Sequence, residues 1–425
     1  MYDVSVLRNG IRVVTETVPH VRSVSVGYWI KAGSRSESPD KRGVSHLIEH
    51  MLFKGTESRT AKQIAEEVDG IGAQLNAYTS KEYTCYYTKC LDQHLSPAID
   101  IMSDIYCRSL ILETELNKEK SVVLEEISMY EDNPDELSHD LIFKALWGDH
   151  PLGTNTIGER DTIKALSRGD LTSYMDQWYR PSNLIVAAVG NMFHAELVQL
   201  IDRHLGGLSG ELVQPQFTLP VSRGDVLTIE KDTEQVHLCI AVPGASRVDP
   251  LRYSVSVLDM LLGGSMSSRL FQELREERGL VYSTYSYNTC YSDAGLFGIY
   301  AGVSRENLEQ VIHLILEQIR QVREGNVSES EIARAKEQLK ANLVINLESM
   351  GNRMSRLAKL ALFHERLVVP DEVMRQIDSV TLSNVVETAQ LVLDPSRLAV
   401  SAVGPVDDSL SDYFNQQRDR VLSGC

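Results

Sequence analysis

The sequence predicts an α+β chain built from two copies of one unit. Three observations lead there. Its 425 residues exceed what one hydrophobic core ordinarily organises, so two or more domains are expected. Short β-rich runs are interspersed with longer runs of helical period. A ten-residue stretch also recurs. Pro181-Ser182-Asn183-Leu184-Ile185-Val186-Ala187-Ala188-Val189-Gly190 matches Pro395-Ser396-Arg397-Leu398-Ala399-Val400-Ser401-Ala402-Val403-Gly404 at seven of ten positions, at an offset of 214.

In chain order, Val4–Leu7 and Ile11–Val14 read as a hairpin turning at Asn9-Gly10, a pair suited to a tight turn. Val21–Ile30 reads as a strand. A loop with Gly33 and Pro39 then leads into a helix around His46–His50. Thr60–Val68 is a helix with Thr60 as N-cap and Gly70 past its end. Strands follow around Gln74–Thr79 and Tyr83–Lys89, then helices over Leu95–Arg108, Glu113–Tyr130, Asp135–Leu146 and Thr162–Trp178. Asn183–Val189 is a strand and Ala195–Leu205 a helix. Gly, Ser, Pro and Gln then mark a linker. The expected division is an N-terminal domain over 1–210, a linker over 211–222 and a homologous C-terminal domain over 223–425. At an offset of 211, Gly33 falls on Gly244 and Pro39 on Pro250, while His46, Glu49 and His50 fall on Val257, Met260 and Leu261. The second copy packs its helix with apolar residues alone, so the histidines of the first are not needed for packing.

Composition excludes several classes. A net charge of −17 argues against a nucleic-acid partner. No apolar run is long enough to span a membrane, and the first residues resemble neither a signal nor a transit peptide. A cytoplasmic, bacterial protein is expected. The six cysteines, Cys85, Cys90, Cys107, Cys239, Cys290 and Cys425, form no C-x-x-C pair, which predicts reduced thiols.

The chemistry centres on His46-Leu47-Ile48-Glu49-His50, an H-x-x-E-H pattern. On a helix, residues four apart share a face, so both imidazoles can meet one metal. Glu49 lies beside them, placed to reach a water rather than the metal. The histidine pair alone is equally compatible with a packing accident, and a third ligand decides. On the Glu113–Tyr130 helix, Glu119 and Glu126 are seven apart and share a face amid apolar neighbours. Spacing alone favours a solvated acidic stripe. Arg275 and Tyr282 flank a helix end at Gly279 and, by residue type alone, read as a surface arginine and a strand tyrosine. The other nine histidines show no ligand spacing and are read as surface or packing residues.

H-x-x-E-H followed by a glutamate 76 positions after the second histidine resembles the inverzincins of the pitrilysin family, in its short-chain branch with the processing peptidases. The stretch Gly72–Ser80 (GAQLNAYTS) is similar to that family's substrate-binding edge strand, and Gly263–Leu270 (GGSMSSRL) to the start of its C-terminal signature. The resemblance implies two homologous domains, each a largely antiparallel sheet covered by helices. It implies one Zn²⁺ per chain held by His46, His50 and Glu126, with Glu49 as general base and Glu119 orienting a histidine. Asn76 and Ala77 would bind substrate along the edge strand. Tyr282 would donate to the oxyanion and Arg275 would hold the substrate backbone, both supplied in trans within a homodimer. It implies an endopeptidase acting on unstructured oligopeptides or precursor segments in a closed chamber. The alternative from another class is a non-catalytic scaffold or partner subunit of a heterodimeric peptidase. Such subunits usually lack part of the motif, and activity of the purified chain discriminates.

Overall fold

A computed structural model describes residues 2–210, 217–364, 366–407 and 409–423. Of the expected linker, residues 211–216 lie outside the described residues, as does Cys425. The first half runs β1 (Tyr2–Val6), β2 (Arg12–Thr17), β3 (Ser23–Ile30), α1 (Val44–Leu52), α2 (Ala61–Gly70), β4 (Gln74–Thr79), β5 (Thr84–Leu91), α3 (Leu95–Arg108), α4 (Glu113–Asp132), α5 (Pro134–Trp147), α6 (Arg160–Ala165), α7 (Arg168–Trp178), β6 (Leu184–Gly190) and α8 (His194–Leu205). The second half runs β7 (Val226–Glu230), β8 (Val236–Pro243), α9 (Arg252–Leu262), β9 (Val281–Cys290), β10 (Gly295–Val303), α10 (Leu308–Arg323), α11 (Glu329–Asn346), α12 (Met350–Phe363), α13 (Pro370–Ser379), α14 (Leu382–Val392), β11 (Ala399–Gly404) and α15 (Ser409–Ser423).

The strands form two sheets, ordered β1-β2-β6-β3-β5-β4 and β7-β11-β8-β10-β9. One pair in each is parallel, β2 with β6 and β7 with β11, and the rest are antiparallel. Laid on one another, β2, β6, β3, β5 and β4 correspond to β7, β11, β8, β10 and β9. The repeated decapeptide supplies β6 and β11, a buried strand in each sheet. The mixed α+β class and the internal repetition are therefore those the sequence predicts.

The chain divides into two compact units that do not follow chain order. The first comprises residues 1–128, 155–217 and 346–367, and the second 129–154, 218–345 and 368–425. The division expected at 210/223 is thus interrupted by an exchange of helices. In the first unit, β3 alternates between two cores. Val24, Val26, Tyr28 and Ile30 pack with α1 and α3 on one face. Trp29 packs with Met354, Leu357, Ala358 and Ala361 of α12 on the other. In the second unit, α5 covers the corresponding face of its sheet, with Ile142, Ala145 and Leu146 against Cys239, Ala241 and Ala399.

Local signals account for most boundaries. The β1–β2 turn places Gly10 at φ 96°, in the left-handed region. Thr60 caps α2 reciprocally with Gln63. The stretch predicted as one helix over Thr162–Trp178 is two, α6 and α7. It breaks at Leu166-Ser167 because Ser167 and Asp170 form a capping box that starts a new helix. The five described cysteines are free, and Cys85 and Cys90 point to different clusters from the two faces of β5.

Candidate metal centre

Helix α1 is started by an unusual cap. Gly43 sits at φ 90°, and a Cβ there would lie 2.5 Å from Ile163 Cδ1 and 2.7 Å from the Ile157 carbonyl oxygen. Only glycine fits. The carboxylate of Glu37 accepts the N–H groups of Gly43 and Ser45, each at 2.8 Å, satisfying donors at the helix start. Val44, Leu47, Ile48, Met51 and Leu52 are buried. That packing turns His46, Glu49 and His50 to the half-buried side, which faces α4.

On α4 the buried stripe is Leu116, Glu119, Val123 and Ile127. A carboxylate therefore occupies a core position and needs partners. Glu119, 5% exposed, finds two: Oε2 lies 3.1 Å from His50 Nδ1, and Oε1 lies 2.7 Å from Lys54 Nζ. Glu126, two turns on, directs Oε2 at both imidazoles, 3.7 Å from His46 Nε2 and 3.6 Å from His50 Nε2. These distances are too long for hydrogen bonds. They match ligands around a shared tetrahedral ion, whose donor atoms lie about 3.3 Å apart for metal–ligand bonds of about 2.05 Å. His46, His50 and Glu126 form the one metal-competent cluster among the described residues, their donor atoms all within 4.8 Å of one another. Two imidazoles and a carboxylate, half-buried and mutually unbonded, fit a divalent zinc-type ion.

The electrostatics agree with that fit. Burial, helped by the neighbouring His50, lowers the His46 pKa to about 3, so its ring is neutral and a lone pair is available. Burial raises the Glu126 carboxyl, partly offset by His50. Burial likewise raises Glu49, opposed by a hydrogen bond from Thr79. Thr79 Oγ1 donates to Glu49 Oε2 at 2.6 Å, leaving Oε1 for another proton donor. His46 Nδ1 is buried with no hydrogen-bond partner among the described residues, so this ring is oriented by packing, whereas His50 is held by Glu119.

Strand β4 is the edge of its sheet, hydrogen-bonded to β5 alone. Leu75 and Ala77 face the α1 side, which also carries Thr79, and Gln74, Asn76 and Tyr78 face the other side. Asn76 and Ala77 are thus on opposite faces. Asn76 Oδ1 accepts the Ala77 N–H at 2.8 Å, so a peptide pairing at this N–H must first displace that side chain. Arg275 and Tyr282 belong to the second unit. Tyr282 lies on β9, the edge strand corresponding to β4, and is 76% exposed. The Arg275 guanidinium lies 4.8 Å from the Phe271 ring centroid and 5.4 Å from that of Tyr282. In α9 the positions matching His46, Glu49 and His50 are the buried Val257, Met260 and Leu261.

Sequence reasoning did not assign roles to Glu37, Lys54 or Thr79. Lys54 lies two residues past the end of α1, where no helical spacing points to it. Thr79 follows from strand alternation once Ala77 is set inward. Glu37 lies in a loop, where no periodicity points to it.

Two matching sheets and a histidine-bearing helix facing an acidic one define the class, and the comparisons agree. Residues 12–160 match the insulinase family (peptidase family M16), and residues 165–339 match the peptidase M16 inactive domain. The chain belongs to peptidase family M16. It is 41% identical over 378 residues to the uncharacterized zinc protease YmxG of Bacillus subtilis, covering 89% of this chain and 92% of that one. It is 40% identical over 410 residues to an uncharacterized zinc protease of Streptomyces coelicolor, covering 95% and 89%. A peptidase M16 inactive domain from Pseudomonas fluorescens shares the fold, with TM-score 0.89 at 22% identity over 96% of this chain and 98% of that one. A protease from Helicobacter pylori does so with TM-score 0.87 at 23% identity over 95% and 99%.

Proposed function

We propose that the chain is a zinc-dependent endopeptidase acting on unstructured oligopeptides or precursor segments. The observation that carries this reading is the convergence of His46 Nε2, His50 Nε2 and the Glu126 carboxylate, with Glu49 beside them and tied to Thr79. Relatives at 40–41% identity carrying the name zinc protease support it. When bound, zinc supplies Lewis acidity, polarising a peptide carbonyl and lowering the pKa of a water.

His46, His50 and Glu126 would hold the ion, and Glu119 fixes the His50 tautomer by accepting from Nδ1. Glu49 is the general base. It takes a proton from the attacking water through the oxygen that Thr79 leaves free, and returns it to the leaving amine. An extended peptide adds to β4, giving affinity with little demand on side chains. Tyr282 donates to the developing oxyanion and Arg275 holds the substrate backbone. We assign both to a second copy of the chain in a homodimer.

The test is metal content against activity. The purified chain is expected to hold one zinc and to cleave an unstructured peptide, while Glu126→Ala loses both. Full zinc content and undiminished cleavage in Glu126→Ala would remove this reading.

A further inference from the structure

The sheet face opposite the metal cluster carries a second feature. Where α12 starts, a cavity of about 450 Å³ opens between it and the edge of the sheet. That volume suits a small ligand. Gln74, Asn76 and Tyr78 of β4, Tyr87 and Lys89 of β5, and Ser25 of β3 form one wall, and Gly351, Asn352, Met354 and Ser355 of α12 the other.

Three properties of this wall point to an anion. The chain carries 59 acidic against 42 basic residues, yet the lining contains no carboxylate and a single charge, the Lys89 ammonium. Lys89 is exposed and makes no ion pair among the described residues. Second, the first turn of α12 lies in the wall. Ser349 caps the N–H of Asn352 at 3.4 Å, and the dipole end of a 14-residue helix adds a partial positive charge. Third, Ser25 is 2% exposed, and its hydroxyl has no hydrogen-bond partner among the described residues. Strand alternation puts Ser25 on the α12 face with Trp29, opposite Val24 and Val26. A buried, unpaired hydroxyl is costly, and a ligand oxygen would satisfy it.

We propose that this cavity binds a small carboxylate carried on an amide-bearing apolar body. Lys89, the α12 N-terminus and Ser25 take the carboxylate. The amides of Gln74 and Asn352 pair with the ligand amide, and Tyr78, Tyr87 and Met354 supply apolar surface. A peptide C-terminus and an N-acylated amino acid share this chemistry. An occupant would brace β4 from behind, on the strand whose Thr79 holds Glu49. This last clause rests on the peptidase reading, whereas the binding site does not.

Calorimetric titration of the full chain, zinc-loaded and chelator-treated, tests the site. The probes are N-acetyl-L-leucine, N-acetyl-L-leucinamide and the tripeptide trileucine. The expected result is that the free acids bind with or without metal and the amide does not. Lys89→Gln, a surface change that leaves the fold intact, should weaken the acids at least tenfold, and Ser25→Val should weaken them further. Tighter binding of trileucine assigns the site to peptide termini, and tighter binding of N-acetyl-L-leucine to a free metabolite. Either result supports the carboxylate chemistry. Equal binding of acid and amide, no effect of Lys89→Gln, or loss of binding with the metal would each overturn it.

Discussion

Glu119 shows how one residue connects core and chemistry. It occupies a buried position of α4 where the stripe is otherwise apolar, and is held there by His50 and Lys54. Removing its charge frees the His50 ring and leaves Lys54 without its partner. Glu119→Gln is therefore expected to weaken zinc affinity about 10- to 100-fold, read by competition with a chromogenic chelator. An unchanged affinity would mean that Glu119 only packs. Glu37, in the loop that caps the start of α1, offers a pH test. Burial raises its carboxyl to about 7, against bonds from Ser45 and Gly43 that favour the charge. The folded protein thus binds this proton more tightly than the unfolded chain does. Its contribution is fully present below the ordinary value of 4.5 and is lost as pH rises through about 7. Relative to wild type, Glu37→Gln should gain stability over that window, by at most about 3 kcal/mol at about 1.36 kcal/mol per pKa unit. Urea denaturation at pH 5 and pH 8 reads the difference, and a gap that is flat or widens the other way counts against it. At this scale the pairing of His46 with His50 was legible because H-x-x-E-H has a fixed helical geometry, whereas Glu126 was singled out only through the family resemblance. Glu37 was not legible, because nothing in a loop sequence says where a carboxylate will point.

Among the elements of the first half, the strands, caps and helix spans followed from alternation, turn residues and N-cap chemistry, as at Asn9-Gly10 and Thr60. The exception within α6 and α7 came from reading apolar periodicity through Ser167, whose capping box with Asp170 was visible in the sequence. What the sequence could not disclose is which sheet an amphipathic helix covers. Helix α12 lies in the chain between β10 and β11 of the second sheet, yet it packs on the first sheet through Met354, Leu357, Ala358 and Ala361. An apolar stripe specifies that a face is buried, not against what. Leu357 is 1% exposed. Leu357→Ala is expected to cost about 2–5 kcal/mol. Thermal unfolding followed by near-ultraviolet signals from Trp29 checks this, since that ring packs in the same cluster and bonds Met354 Sδ. A loss below about 0.5 kcal/mol would show that α12 does not hold this face.

Across the whole chain, duplication is the organising fact. Five strands of each sheet correspond in order and direction, and one copy carries the His46–His50–Glu126 cluster while the other has Val257, Met260 and Leu261 at the positions matching His46, Glu49 and His50. The repeat was legible because Pro181–Gly190 and Pro395–Gly404 supply buried strands, where substitutions are confined. The Arg275–Tyr282 pair lies in the copy without the histidine pair, which leads to a test of assignment in trans. Tyr282→Phe is expected to lower kcat about 10²- to 10³-fold. Mixing it with Glu49→Gln should restore up to about a quarter of wild-type activity once subunits exchange. Exchange without recovery would return Tyr282 to its own chain's site or to none.

The most direct test of the central claim is cleavage of a quenched, unstructured peptide by the purified chain beside a zinc-loaded Glu49→Gln variant. The account predicts that both proteins hold zinc, that the native chain cuts unaided, and that the variant is slower by about 10²- to 10⁴-fold. Equal cleavage by the two would contradict it, because the proton would then not pass through Glu49.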